Sequence, residues 1–246
     1  MKNIKSALIR LFPKRILLIL FFSVMLNCSV IIGETVESTV LDIESSLSKI
    51  SKEEVINLIK TQGTKSPYYF EGLSYKVANI DKDDDFEIVA KIDSGVHVGY
   101  FFVFDKNSQG KYSLVAEKDW KVEKWDLEYW YNLNGGIKAY EMTTRAGGSG
   151  IDIFYGLVWY LKDGKFVEAW MGTLKERTAF QDILNLKIGC YQINSDDSRL
   201  YAWTTKYSTK MSTNTPMAKP TTTVSIFKFD GIKYVLQSQN TCEQSN

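Results

Sequence analysis

The sequence has a single histidine, three cysteines and four prolines in 246 residues. One imidazole, His97, excludes a histidine-rich metal centre and leaves a nucleophile–base–acid triad no choice of base. Flanked by Val96 and Val98, it reads as a structural residue near a strand end. Phosphate-binding and nucleophile motifs are missing as well. RAGGSGID (145–152) does not run on as G-K-[ST] into a helix, and Ile151 stands where a G-x-S-x-G elbow requires glycine. A turn between strands is the reading that remains. The 29 acidic residues include no motif that singles out a glycosidase pair.

Long hydrophobic runs are lacking too. The run Ile16–Leu26 has eleven residues with Ser23 inside it, against about twenty for a spanning helix. It follows a basic start, Lys2, Lys5, Arg10, Lys14 and Arg15, that contains no acid. This order is that of an export signal, so residues 1–27 are expected to be a signal peptide or a membrane anchor. Met25-Leu26-Asn27-Cys28 resembles a bacterial lipobox, which implies a lipid on Cys28 and a membrane contact through the N-terminus. Asn27 occupies a place usually held by a smaller residue, and apolar residues resume at Val30-Ile31-Ile32. A cleaved leader and an uncleaved anchor therefore stay open beside the lipoprotein.

Without residues 1–27, five of the 30 basic residues go and no acidic one, leaving 25 against 29 and a net charge of −4. Such a domain has no electrostatic footprint for nucleic acid. Cys190 and Cys242 then form an even pair in an oxidising compartment, which predicts a disulfide.

What the chain does have is β-writing. Aromatics make up 13% of it, and together with Val, Ile and Thr they favour strands. Helix is expected only near the start, in a segment spanning 28–66. Val36, Val40, Ile43, Leu47 and Ile50 recur at helical spacing, and Ser51 with Glu54 makes a capping box ahead of Val55, Leu58 and Ile59, with Gly63 as the stop.

Residues 67–246 alternate apolar runs with polar turns. VFDKNSQGKYSLVAE (103–117), WYLKDGKFVEAW (159–170) and FKFDGIKYVLQS (227–238) each read as a hairpin. Each is preceded by a related unit: NIDKDDDFEIVA (79–90), NLNGGIKAYEM (132–142) and QINSDDSRLYAW (192–203). The expectation is three blade-like repeats of four strands, arranged as an incomplete propeller or a twisted sandwich. Trp120, Trp125 and Trp130, five apart, alternate faces on a strand, which would leave one exposed to stack on a sugar or a peptide.

The first of these units carries the chemistry. Asn79, Asp81, Asp83, Asp85 and Glu87 occupy alternate positions of one loop, the spacing by which calcium collects oxygen ligands from a tight turn, with Asp85 expected to act through its carbonyl. Ala90 stands where an EF-hand needs its bidentate glutamate. The loop resembles that of FG-GAP or VCBS-type repeats, D-x-D-x-D-G-x-x-D followed by an apolar strand, with Asp84 in place of the glycine. That resemblance implies a calcium ion between the first two strands of a blade. The third unit offers only Gln192, Asn194, Asp196 and Ser198 at matching positions.

These features together predict an exported, membrane-tethered, mainly β binding protein of the cell envelope with a structural Ca2+ loop. Its partner would be a carbohydrate or a protein. A polysaccharide hydrolase using unrecognised carboxylates and a structural or assembly protein are the alternatives.

Overall fold

The computed structural model describes residues 50–243. The expected leader at 1–27, Cys28 and the first apolar helical stretch therefore lie outside the described residues, save for Ile50 at its end. Two compact units divide the chain after Ser51, and the second is the one described.

It opens with helix α1, Lys52–Gln62, placed where the capping box predicts. Glu53 and Glu54 sit in its first turn and Lys60 in its last, each on the side that the helix dipole favours. Val55 and Ile59, one turn apart, are its buried face. The helix ends where Gly63 donates its N–H to the Ile59 carbonyl at 2.8 Å. A Cβ at Gly63 would come within 2.6 Å of that carbonyl and 2.4 Å of the Tyr68 hydroxyl, so only glycine fits. Gln62 then ties the helix to the sheet beyond, donating to the Tyr112 carbonyl at 3.0 Å and accepting from the Leu114 N–H at 2.7 Å.

The remainder is antiparallel β-structure in two sheets. The first has strands β1 (Leu73–Ala78), β2 (Glu87–Asp93), β3 (Gly99–Lys106) and β4 (Tyr112–Lys118), in that order. Its central strands, EIVAKID and GYFFVFDK, are almost continuously apolar because both of their faces are buried.

The second sheet has ten strands: β5 (Lys121–Trp125), β6 (Tyr131–Leu133), β7 (Ile137–Gly148), β8 (Ile151–Lys162), β9 (Lys165–Phe180), β10 (Ile183–Asn194), β11 (Arg199–Lys210), β12 (Thr215–Pro216), β13 (Thr221–Phe229) and β14 (Tyr234–Glu243). Its order is β14-β13-β11-β10-β9-β8-β7-β5, with β6 beside β7 and β12 beside β11. The β8–β9 hairpin closes through Asp163 (φ 52°) and Gly164 (φ 65°), the left-handed pair that a two-residue turn demands.

Strand β8 shows how the layers meet. Leu157, Trp159 and Leu161 enter a core with Val89, Phe101 and Val103 of the first sheet. Alternate residues Val158 and Tyr160 face the other way, into a core with Leu200, Phe229 and Tyr234. Tyr160 also donates its hydroxyl to the Ile232 carbonyl at 2.8 Å. The β13–β14 hairpin is several strands away in sheet order, so the second sheet must curl back over β8. It does not close into a barrel, because β5 and β14 remain edges.

The three expected stretches fall on β1–β4, β6–β9 and β10–β14, the last with the extra strand β12. The sheet boundaries do not follow them. Only the first set is a sheet of its own, because β9 and β10 pair from Ile183↔Phe180 to Ile188↔Lys175 and fuse the other two. Gln181 and Asp182 form the two-residue turn responsible, with Gln181 at φ 52°.

Fusion also accounts for the cysteines. Cys190 on β10 and Cys242 on β14 are both free and exposed. Strands β11 and β13 lie between them. Three strand spacings of about 4.8 Å exceed the roughly 7 Å Cα separation that a disulfide tolerates. The expected bond is therefore not formed.

Candidate metal centre

The acidic loop connects β1 to β2, directly after the Ala78↔Glu87 pair. Its acids first organise the backbone. Asp81 accepts from the Asp83 N–H at 2.9 Å, and Asp83 accepts from the Asp85 N–H at 2.8 Å. Such two-residue steps are the turn chemistry of aspartate. Ile80, fully buried, pins the loop into the core shared by the two sheets.

Asp81, Asp83 and Glu87 converge, each offering one carboxylate oxygen, and the three atoms lie within 4.8 Å of one another. Burial is graded across them: Asp83 is exposed, Asp81 half-buried and Glu87 wholly buried. The Glu87 Oε2 accepts from the Ile80 N–H at 2.6 Å. Its Oε1 is buried and has no hydrogen-bond partner. A buried carboxylate oxygen left without a donor or a cation is costly.

The side chains of the two other expected ligands, Asn79 and Asp85, have partners of their own, and the Asn79 amide also donates to the Asp83 carbonyl. Asn79 accepts from Lys138 Nζ through its side chain at 2.6 Å and through its carbonyl at 3.2 Å. The Asp85 carboxylate pairs with Lys106 Nζ at 2.7 Å. Lys82 donates to the Gly135 carbonyl. The lysines around the loop thus have other partners, and none of these four bonds reaches the converging carboxylates.

A fourth acid is one that loop spacing does not reveal. Register between β2 and β3 pairs Ile88 with Phe104, so the next step places Asp105 beside Glu87. Asp105 is only 7% exposed, and its Oδ1 is buried without a partner. In the sequence it reads as the polar end of an apolar strand. A lone acid closing an otherwise apolar strand was the available signal.

The electrostatics follow from this crowding. Burial pushes the Glu87 carboxyl up to about 8, and the charges of Asp81, Asp105 and Asp83 add to the rise, while the Ile80 N–H opposes it. Burial likewise raises Asp81 and Asp105. Three hard oxygen donors of graded exposure suit a divalent cation such as Ca2+ or Mg2+, with water filling the remaining positions.

Elsewhere the expectations resolve simply. His97 is half-buried in the turn between β2 and β3, its Nδ1 without a partner. Ser149 is an exposed residue of the β7–β8 turn. Asp196 and Asp197 of the third unit make local contacts to Asn194 and Arg199. Trp120 and Trp125 pack on the core between the sheets, whereas Trp130 is 46% exposed. Among the described residues no helix is long and apolar enough to cross a membrane. No family model, curated protein or solved structure matches the chain.

Proposed function

We propose that this is an exported, membrane-tethered binding protein of the cell envelope whose β-scaffold is fastened by one calcium ion. The observation that carries the cation is the partnerless, buried Oε1 of Glu87 beside Asp81 and Asp83. A bound divalent ion supplies the charge that this oxygen lacks and locks the β1–β2 connection. Asp105, on β3, extends the same field to a third strand, as an acceptor for water on the ion. Strands β1–β4 are then one blade-like unit, and β6–β9 and β10–β14 are two further copies fused in one sheet.

Export and tethering rest on the basic start, the eleven-residue apolar run and Cys28. The ligand is an envelope carbohydrate or protein.

Titration calorimetry of the metal-free protein with calcium tests the scaffold. Binding with a stoichiometry of one, at the millimolar to sub-millimolar affinity common in extracellular modules, is expected. Absence of heat at millimolar calcium and magnesium would remove the cation from this account. Radiolabelled palmitate incorporation that is lost in Cys28→Ala is the expected mark of the tether.

A further inference from the structure

A second concave site shares no lining residue with the acidic loop. It is a cleft of about 480 Å3 bordered by Lys124, Asp126, Tyr129, Trp130, Glu141 and Tyr191, with Tyr131 and Thr143 also on its wall. Small-ligand sites typically measure about 300–1,000 Å3.

Its floor is built. Glu141 on β7 accepts from the Tyr131 hydroxyl at 3.2 Å, and Tyr191 borders the cleft beside them. Tyr191 belongs to β10, three strands from β7 in sheet order, and its ring lies back across the sheet over Gly156 of β8. Gly156 on β8 faces both Thr143 on β7 and Gly172 on β9. A Cβ on Gly156 would lie 2.6 Å from the Tyr191 ring, and one on Gly172 would lie 2.3 Å from the Trp170 ring. Those two rings fill the gap, with centroids 4.6 Å apart. Facing glycines weaken a sheet, so their presence here points to the close approach that they permit.

The rim is the opposite. Tyr129 is 77% exposed and Trp130 46%, adjacent in the short loop between β5 and β6. Lys138 Nζ stands 5.8 Å from the Trp130 ring centroid and braces the indole.

Resting on the binding-scaffold reading above, we propose that this cleft binds a hydroxyl-rich glycan chain, stacked on Trp130 and Tyr129 and held by Glu141. A pyranose has one apolar C–H face and a girdle of hydroxyls that both donate and accept. Flat amphipathic rings match the face. Glu141 and Asp126 accept from hydroxyls, and Lys124 donates to them. A peptide added as a strand would draw its affinity from main-chain bonds at a sheet edge, whereas the groups converging here are side chains.

The test is calorimetry of the full chain, with calcium present, against cellohexaose, maltohexaose and chitohexaose, and against a random heptapeptide library. Saturable binding of at least one oligosaccharide is expected, with Trp130→Ala and Glu141→Gln each weakening it about tenfold or more. Tyr129→Ala, at the most exposed position, guards against a folding artefact and should weaken it too. No oligosaccharide binding at millimolar concentration, or binding undiminished in Trp130→Ala and Glu141→Gln, overturns the proposal. Peptide retention that is lost in Trp130→Ala assigns the cleft to a peptide and equally removes the glycan. The calcium-dependent melting shift, measured in parallel, separates the two readings. If it persists while glycan binding fails, the cleft assignment falls and the scaffold stands.

Discussion

Glu87 and Asp105 stand side by side on adjacent strands, one register step past the Ile88–Phe104 pair, each with a buried oxygen that no donor reaches. Two such acids in one layer of a sheet are a liability that the fold retains. Their shared cost makes stability here depend on protons and on cations, and the two dependences can be separated.

The first prediction concerns calcium. A site with a dissociation constant of about 0.1–1 mM, held at about 10 mM calcium, gains on the order of 1.4–2.7 kcal/mol. For a chain of this size that corresponds to a rise in melting temperature of roughly 3–11 °C. Asp81→Ala combined with Asp83→Ala should abolish the rise, as read by differential scanning calorimetry. A double variant that still responds to calcium would place the ion elsewhere.

Proton linkage supplies the second. Glu87 is raised from an ordinary carboxylate value to about 8, so the folded state holds its proton more tightly than the unfolded chain does. Its stabilising contribution is complete below about pH 4.5 and is lost as pH rises through 8. The full loss is on the order of 5 kcal/mol, from about 1.4 kcal/mol per pH unit. Asp81 and Asp105, also raised, act in the same direction. In chelator, the melting temperature should therefore fall from pH 5 to pH 8. Glu87→Gln should flatten that profile, and calcium should restore stability mainly at the alkaline end. A metal-free protein that is most stable at pH 8 contradicts this assignment.

A third prediction separates core from surface. Phe101 is fully buried among the rings of Trp120, Trp159 and Phe166, with centroids 5.7–5.9 Å away. Phe101→Ala should cost about 3–5 kcal/mol in urea unfolding. Tyr129→Ala, on the exposed rim, should change the midpoint by less than about 0.5 kcal/mol.

The fourth concerns thiols. In a Cys28→Ala chain, Cys190 and Cys242 should both react with Ellman's reagent without denaturant, giving two equivalents. Fewer than two in the freshly oxidised protein would mean that a thiol is bonded or covered.

Local chemistry made much of this legible. The Asp163–Gly164 turn and helix α1 lie where turn and capping residues place them, and the acidic loop does join two strands. The partners of the Asn79 and Asp85 side chains were not legible. Alternate positions do not decide which way a side chain turns when Lys138, 59 residues from Asn79, and Lys106, 21 from Asp85, arrive from other strands. The fusion of the second and third units was hidden for a related reason. Gln181 adopts a left-handed backbone that glutamine does not advertise, so nothing in FQDI marks a tight turn. The disulfide expectation failed with it, since it assumed that a unit's two ends meet.

The strand ladders have one more consequence. Every one of them joins strands that are consecutive in the chain or one apart, from β1–β2 to β13–β14. A polypeptide assembling this molecule therefore searches mostly near neighbours, closing short loops at little entropic cost. The distant encounters are two: Phe101 and Val103 meet Leu157 and Trp159 across more than fifty residues, and Tyr160 meets the β13–β14 hairpin at Ile232, 72 residues on. Folding speed should be governed by those two long-range docking events, in a β-rich chain whose class is ordinarily slow.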